Sequence, residues 1–224
     1  MTLRGLIIGL ALSLWVTAPG QAAPAPNPFP VLDAPRSLGS PRAHVVVTEY
    51  ASLGCPHCAL WSRTEFPAFK AKYVDTGKVR FQIREMLNGN AALAAAGWLT
   101  ARCAAADKYF QVTEAVFAAQ DEISGGGGET TLARIAKDAG VPQARLDACL
   151  RDENALKALR ARSEQAYKID GVSGTPAFSV SAPPTPAGTR LEGYQTLAQL
   201  DAAIAAVTPK VRPRPVTRGR HHAH

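Results

Sequence analysis

Apolar and polar positions along the chain change period several times, and each change marks an element. Val45 to Tyr50 is a β-branched run closed by an aromatic, the pattern of a buried strand. The short turn Ser52-Leu53-Gly54 follows. From Pro56 to about Thr76 the period becomes helical, with Trp61, Glu65, Phe69 and Tyr73 close to one face, a kink expected at Pro67 and a stop at Gly77. Val79 to Arg84 alternates as a second strand. Residues 90–170 read as helical throughout, broken by Gly125 to Gly128 and by Gly140, with Pro142 suited to the first turn of a new helix. Strand character returns at Ala177 to Val180 and at Arg190 to Glu192. A closing helix opens with Thr196 and Gln199 at capping-box spacing and carries the stripe Leu197, Leu200, Ile204, Val207. The predicted order is strand, helix, strand, a long helical block, strand, strand, helix: an α/β frame interrupted by helices, without an internal repeat.

The two ends differ from this body. Arg4 followed by the apolar run Leu6 to Val16 and then by small residues has the form of a secretory signal, with cleavage expected near Gly20-Gln21-Ala22. The expected organisation is therefore a signal peptide over 1–22, a Pro- and Ala-rich leader over 23–40, a folded domain over 41–207 with its helical insertion at about 88–168, and a disordered basic tail over 209–224. Export to the periplasm and a soluble mature protein are expected, since no other stretch is long and apolar enough to span a bilayer.

Composition is that of an ordinary globular protein, 46% hydrophobic and 19% charged, which argues against wholesale disorder or a fibrous repeat. The net charge of +7 would suggest a nucleic-acid partner if it were spread over a face. It is not: Lys210, Arg212, Arg214, Arg218 and Arg220 lie in the tail, and without them and Arg4 the formal charge falls to +1. No nucleic-acid partner is expected.

The chemistry is concentrated in Cys55-Pro56-His57-Cys58, placed directly after a strand and opening a helix. A helix N-terminus offers partial positive charge and unpaired N–H groups, so a sulfur held there is stabilised as a thiolate. Cys55 is expected to be that sulfur and the exposed one, with Cys58 one turn further in and more buried. Pro56 fits the first helical position. His57 is expected to supply a donor or a positive charge beside the sulfur. A stabilised thiolate is a good leaving group and favours the reduced form, which makes the disulfide form an oxidant. Zinc is the competing use of a C-x-x-C pair, but it wants a second pair, and Cys103 and Cys149 are singletons. No metal site is expected.

Glu49 to Cys58, with the helix that follows, resembles the DsbA-like thioredoxin-fold family of bacterial thiol oxidases, in which Pro-His is the dipeptide typical of the oxidase members. The resemblance covers roughly residues 38–207. It implies a thioredoxin fold with an inserted helical block, and a protein thiol:disulfide oxidoreductase in which Cys55 is the attacked sulfur and leaving group while Cys58 resolves. It implies a cis bond at Thr175-Pro176, in the loop that faces the cysteines and binds substrate backbone; by sequence alone Pro176 could be an ordinary turn proline. It implies a buried proton-relaying acid at Glu49, which could otherwise point to solvent from a strand end. It further implies reduced exported proteins as substrates, a DsbB-like quinone-linked membrane partner for reoxidation, a monomer, and no bound cofactor. A reductase or isomerase on the same fold, and a non-catalytic binding module or holdase, are the competing functions. Few residues separate the expected signal from the first strand, too few for an isomerase's dimerisation domain. Export favours a Cys103–Cys149 disulfide over two buried free thiols.

Overall fold

The computed structural model describes residues 35–183 and 188–208, so the expected signal peptide, most of the leader and the basic tail lie outside the described residues. A five-stranded mixed sheet, in the order β1-β3-β2-β4-β5, forms the frame. Its strands are β1 (Arg36–Leu38), β2 (Val45–Ala51), β3 (Val79–Glu85), β4 (Ala177–Ser181) and β5 (Thr189–Glu192). β2 and β3 run parallel and are joined by helix, while β1 on β3, β4 on β2 and β5 on β4 are antiparallel. β1 falls inside the stretch expected to be leader: three residues carry too short a pattern to read as a strand, and pairing to the edge of β3 makes them one.

Central position explains why β2 is mostly apolar rather than alternating. Six of its seven residues are buried, because it has a strand on either side and is covered on both faces. β3 keeps a strict alternation of buried and half-buried residues.

The helix expected over residues 56–76 is divided. α1 (Pro56–Thr64) ends before α2 (Phe66–Phe69), and Lys70–Val74 continues as a π-helical turn. The break precedes Pro67, which has no N–H to bond back and whose ring crowds the preceding turn, so Pro67 sits in the first turn of a new helix. Trp61 of α1 packs on Phe66, Phe69, Phe81 and Phe178, the last at 4.9 Å between ring centres, and donates its indole N–H to the Gln195 carbonyl at 2.9 Å. Glu65, between α1 and α2, accepts from Tyr194 Oη and from the Leu197 N–H at the start of the closing helix.

Between β3 and β4 lie α3 (Ala91–Cys103), α4 (Tyr109–Ala118), α5 (Gln120–Glu122), α6 (Gly128–Asp138), α7 (Gln143–Leu150) and α8 (Glu153–Lys168). One carboxylate anchors this block to the sheet. Glu85, at the end of β3, is 2% exposed. Its Oε1 accepts from Arg102 Nε of α3 and from Tyr109 Oη of α4, and its Oε2 accepts from Nε and Nη2 of Arg162 in α8 at 3.1 and 2.8 Å. α9 (Leu197–Val207) closes the fold with the expected Thr196–Gln199 capping box; its buried stripe is Leu200, Ala203 and Ile204, while Leu197 and Val207 are only half-buried.

A disulfide joins Cys103 at the end of α3 to Cys149 in α7, 46 residues later. Cross-linking a loop of that length removes denatured-state freedom worth on the order of 4 kcal/mol in the chain-entropy model. Replacing both cysteines by alanine should therefore lower the unfolding free energy by about that amount in denaturant titrations, with the reactivity of Cys55 unchanged. A change below about 1 kcal/mol would show that the packing of α3 on α7 holds the block without the bond.

Candidate active site

Three distant stretches of chain meet at the C-terminal end of β2. Register brings two of them together: Tyr50 pairs with Ala177, so the approach to Cys55 and the loop ending at Pro176 emerge side by side. The third is the loop after β3. The Met86 N–H bonds the Ala51 carbonyl, the Asn90 N–H bonds the Gly54 carbonyl at 3.0 Å, and the Asn88 carbonyl accepts the Ser52 hydroxyl at 2.7 Å. Backbone approaches backbone so closely here that side chains have no room. A Cβ on Gly54 would stand 2.1 Å from the Asn90 carbonyl oxygen, and one on Gly89, which also has φ +65°, 2.3 Å from the Gly54 oxygen.

Cys55 occupies the N-cap of α1 in extended conformation, with Pro56 following and no acid in the first turn. Cys55 and Cys58 are free thiols. Cys58 is fully buried, as expected. Cys55 is only 6% exposed, which corrects the expectation of an exposed sulfur. The cause is the opposite loop, whose Thr175 carbonyl lies 3.2 Å from Cys55 Sγ and roofs it; the Thr175–Pro176 bond is cis. The pair is accessible at its edge, where Pro56 and His57 are exposed.

The two sulfurs sit in opposite electrostatic environments. Cys55 is drawn down from an ordinary 9.0 to about 5, first by a hydrogen bond from the Cys58 thiol, then, against the cost of burial, by the Thr175 side chain and the backbone N–H groups of Cys58 and His57. His57 therefore acts on the sulfur through its amide, while its exposed imidazole is not among these groups, a difference from the charge expected of it. Cys58 is pushed well up, by burial first, then by its hydrogen bond to Cys55 and the fields of Glu49 and Cys55.

Glu49 points inward. It is 2% exposed, its Oε1 has no hydrogen-bond partner, and burial, followed by the field of Cys55, raises it from 4.5 to about 8. It borders a cavity of about 10 Å³ that Ser62, Thr113 and Glu114 also line, the volume of a single water site. A folded-state value above the unfolded one means that stability is full below about 4.5 and is lost as the pH rises through about 8. Glu49→Gln should remove that loss. Measured on the oxidised form, where the field of Cys55 is absent and burial acts alone, the variant should gain stability over the natural protein as the pH rises above about 5, by about 1.4 kcal/mol for each pH unit crossed between the unfolded and folded values. A constant difference across that range would place the Glu49 carboxylate in contact with water.

Several residues here were not read from the sequence. Asn88 accepts the Thr175 hydroxyl at 2.9 Å. Gln120, buried, donates to the carbonyls of Leu53 and Cys55. Tyr167, at the exposed end of α8, is raised by partial burial and by the nearby Cys55. Gln120 is one of several glutamines in the helical block and carries no local mark that sets it apart, and Asn88 in Asn-Gly-Asn reads only as a turn.

A mixed sheet with a β-α-β half, a β-β-α half and a cis-proline facing a C-x-x-C helix defines a thioredoxin fold, here with a helical block inserted after β3. A family model described as thioredoxin matches residues 32–206, and the chain belongs to that family, in its DsbA-like branch. A protein of Rickettsia prowazekii provisionally named a protein-disulfide oxidoreductase is 31% identical over 176 residues, 78% of this chain and 62% of the relative. The chain spans about three fifths of the length of such curated relatives. Among solved structures, alpha-DsbA1 of Wolbachia pipientis matches with a TM-score of 0.70 at 27% identity, over 77% of this chain and 90% of that one. A protein-disulfide isomerase of Novosphingobium aromaticivorans matches with a TM-score of 0.63 at 23% identity, over 77% and 96% of the two chains, a likeness of fold.

Proposed function

We propose that this protein is a periplasmic thiol:disulfide oxidoreductase that donates a Cys55–Cys58 disulfide to reduced exported polypeptides. The observation that carries the reading is the contrast between the two sulfurs, with Cys55 held near 5 and Cys58 pushed well above 9.0. A substrate thiolate attacks Cys55 Sγ, the Cys55–Cys58 bond breaks, and Cys58 leaves with the electron pair. Cys58 is buried and strongly basic, so it needs a proton at that moment, and Glu49, neutral below about pH 8, supplies one. A second substrate thiolate then attacks the substrate sulfur of the mixed disulfide. Cys55 departs as a stabilised thiolate, the substrate has lost two electrons, and the protein holds two thiols.

Backbone groups of the Thr175–Pro176 loop receive the substrate chain, which tolerates many sequences. Tyr167 and Ile169, the latter 77% exposed, offer apolar contact of the kind that unfolded polypeptides seek. The signal-like N-terminus and the Cys103–Cys149 bond fit an oxidising compartment. Reoxidation would fall to a DsbB-like quinone-linked membrane protein, and a monomer suffices for the chemistry.

The test is the equilibrium of the Cys55–Cys58 pair with glutathione, together with the thiolate absorbance of Cys55 as a function of pH. A strongly oxidising couple with an acidic Cys55 is expected. A couple as reducing as thioredoxin's would make the protein a reductase or isomerase on this fold.

A further inference from the structure

The Thr175 hydroxyl has one proton and two claimants. It donates to Asn88 Oδ1 at 2.9 Å, while the same side chain is among the groups that stabilise the Cys55 thiolate. The Thr175 carbonyl, 3.2 Å from Cys55 Sγ, can accept from a thiol S–H but only repels a thiolate. Ionising Cys55 therefore turns a satisfied chain of bonds, sulfur to Thr175 carbonyl and Thr175 hydroxyl to Asn88, into one that faces the wrong way. Rotating the hydroxyl to sulfur alone would leave Asn88 Oδ1 opposed to a bare oxygen lone pair.

An asparagine can repair this where few residues could. Its amide presents an acceptor and a donor of almost the same shape, exchanged by a half-turn of the side chain. The Asn88 backbone is held, by the Ser52 hydroxyl on its carbonyl and by the contact of Gly89 with Gly54, so its side-chain torsions are the part left to move. The side chain itself is half-buried.

We propose that Asn88 is a positioning residue that acts on Cys55 through Thr175: its amide accepts the Thr175 hydroxyl when Cys55 is a thiol and turns over to donate to Thr175 Oγ1 when Cys55 is a thiolate, so that the hydroxyl donates to sulfur. Donation into the hydroxyl polarises it and strengthens its bond to the anion. No covalent step is involved; the amide follows the charge. The other groups facing the sulfur are the Cys58 thiol and amide, the His57 amide, the Thr175 carbonyl, Glu49 and Tyr167, and none of them is hydrogen-bonded to Asn88. The inference rests on Cys55 being the reactive, acidic thiol.

The experiment titrates the Cys55 thiolate by ultraviolet absorbance in Asn88→Ala and Asn88→Asp, each with Thr175 intact and with Thr175→Val. Thermal unfolding of the oxidised forms checks that each variant is folded. The turning amide predicts that the Cys55 pKa rises in the order Asn, Ala, Asp: about threefold weaker ionisation in Asn88→Ala, and at least about tenfold in Asn88→Asp, which can only accept. With Thr175→Val the alanine effect should vanish and the aspartate effect should shrink to that of its charge. In the natural protein the Asn88 side-chain amide resonances should move with the Cys55 titration, a readout that needs no variant. A Cys55 in Asn88→Ala as acidic as the natural one or more so would show that Asn88 merely competes for the proton, and an effect undiminished by Thr175→Val would show that it does not act through the hydroxyl; either overturns the switch alone. An ordinary thiol pKa for Cys55 in the natural protein would overturn the switch and the oxidase reading together.

Discussion

On the proposed function, Cys58→Ser is expected to abolish disulfide-donating turnover while leaving Cys55 acidic, converting a catalyst into a trap. The first group that lowers Cys55 is a hydrogen bond from the residue-58 side chain, and a serine hydroxyl supplies that donor again. The sulfur that resolves a mixed disulfide is then missing. Exposed to oxidised glutathione, the variant should accumulate one stable adduct at Cys55, visible by mass, where the natural protein passes rapidly to its internal disulfide. Cys58→Ala removes the donor as well. A hydrogen bond to a charged group contributes about 1.5–3 kcal/mol, so the Cys55 pKa should lie roughly one to two pH units higher than in Cys58→Ser. Equal acidity of the serine and alanine variants would remove the Cys58 thiol from the account of Cys55, and surviving turnover in either would remove it from the mechanism.

The largest loss of stability is expected from Glu85→Ala. That single carboxylate receives four hydrogen bonds from Arg102, Tyr109 and Arg162, side chains of three different helices. Two of the partners are ionised and nearly out of water. Breaking one buried ion pair by removing a partner costs about 3–5 kcal/mol, because the other charge stays buried without compensation. Here the alanine leaves Nε and Nη2 of Arg162 without the acceptor they share, in a residue whose Nη1 already has none. A loss at the upper end of that range is a large part of the roughly 5–15 kcal/mol that holds a typical domain together. Urea unfolding measures it directly. A loss below about 1 kcal/mol would mean that water reaches the cluster, in the manner of a surface pair.

Much of this fold can be read along the chain because its elements are built from local periodicity. The β-branched run of β2, the alternation of β3, the Thr196–Gln199 box and the opening of α1 at Pro56 are each written within a short stretch of chain. Legibility fails where the deciding contact is distant. β1 is a strand only because β3 offers an edge. Cys55 is a helix-terminal sulfur by local pattern, yet its burial is imposed by Thr175, 120 residues away. Asn88 is hidden likewise, 87 residues from Thr175, and so is the gathering of Arg102, Tyr109 and Arg162 on Glu85, the last of them 77 residues away. Glu49 lies between these cases: an acid at the end of an apolar strand is visible, but whether it faces the core depends on what packs against that face.

The long separation of the site's parts also bears on how the chain matures. It contains four cysteines, and along the chain Cys55 and Cys58 come well before the segment that carries Thr175. Until β4 has paired with β2, Cys55 lacks the Thr175 side chain and has only what a forming α1 can give it. Part of the stabilisation of its thiolate therefore waits for completion of the sheet, which needs the non-local pairing of β4 with β2. Cys103 and Cys149 both lie within the helical block, so their bond does not depend on that pairing. Full acidity at Cys55 thus needs the sheet as well as the helix: α1 supplies the Cys58 thiol and two amides, and β4 brings in the Thr175 side chain.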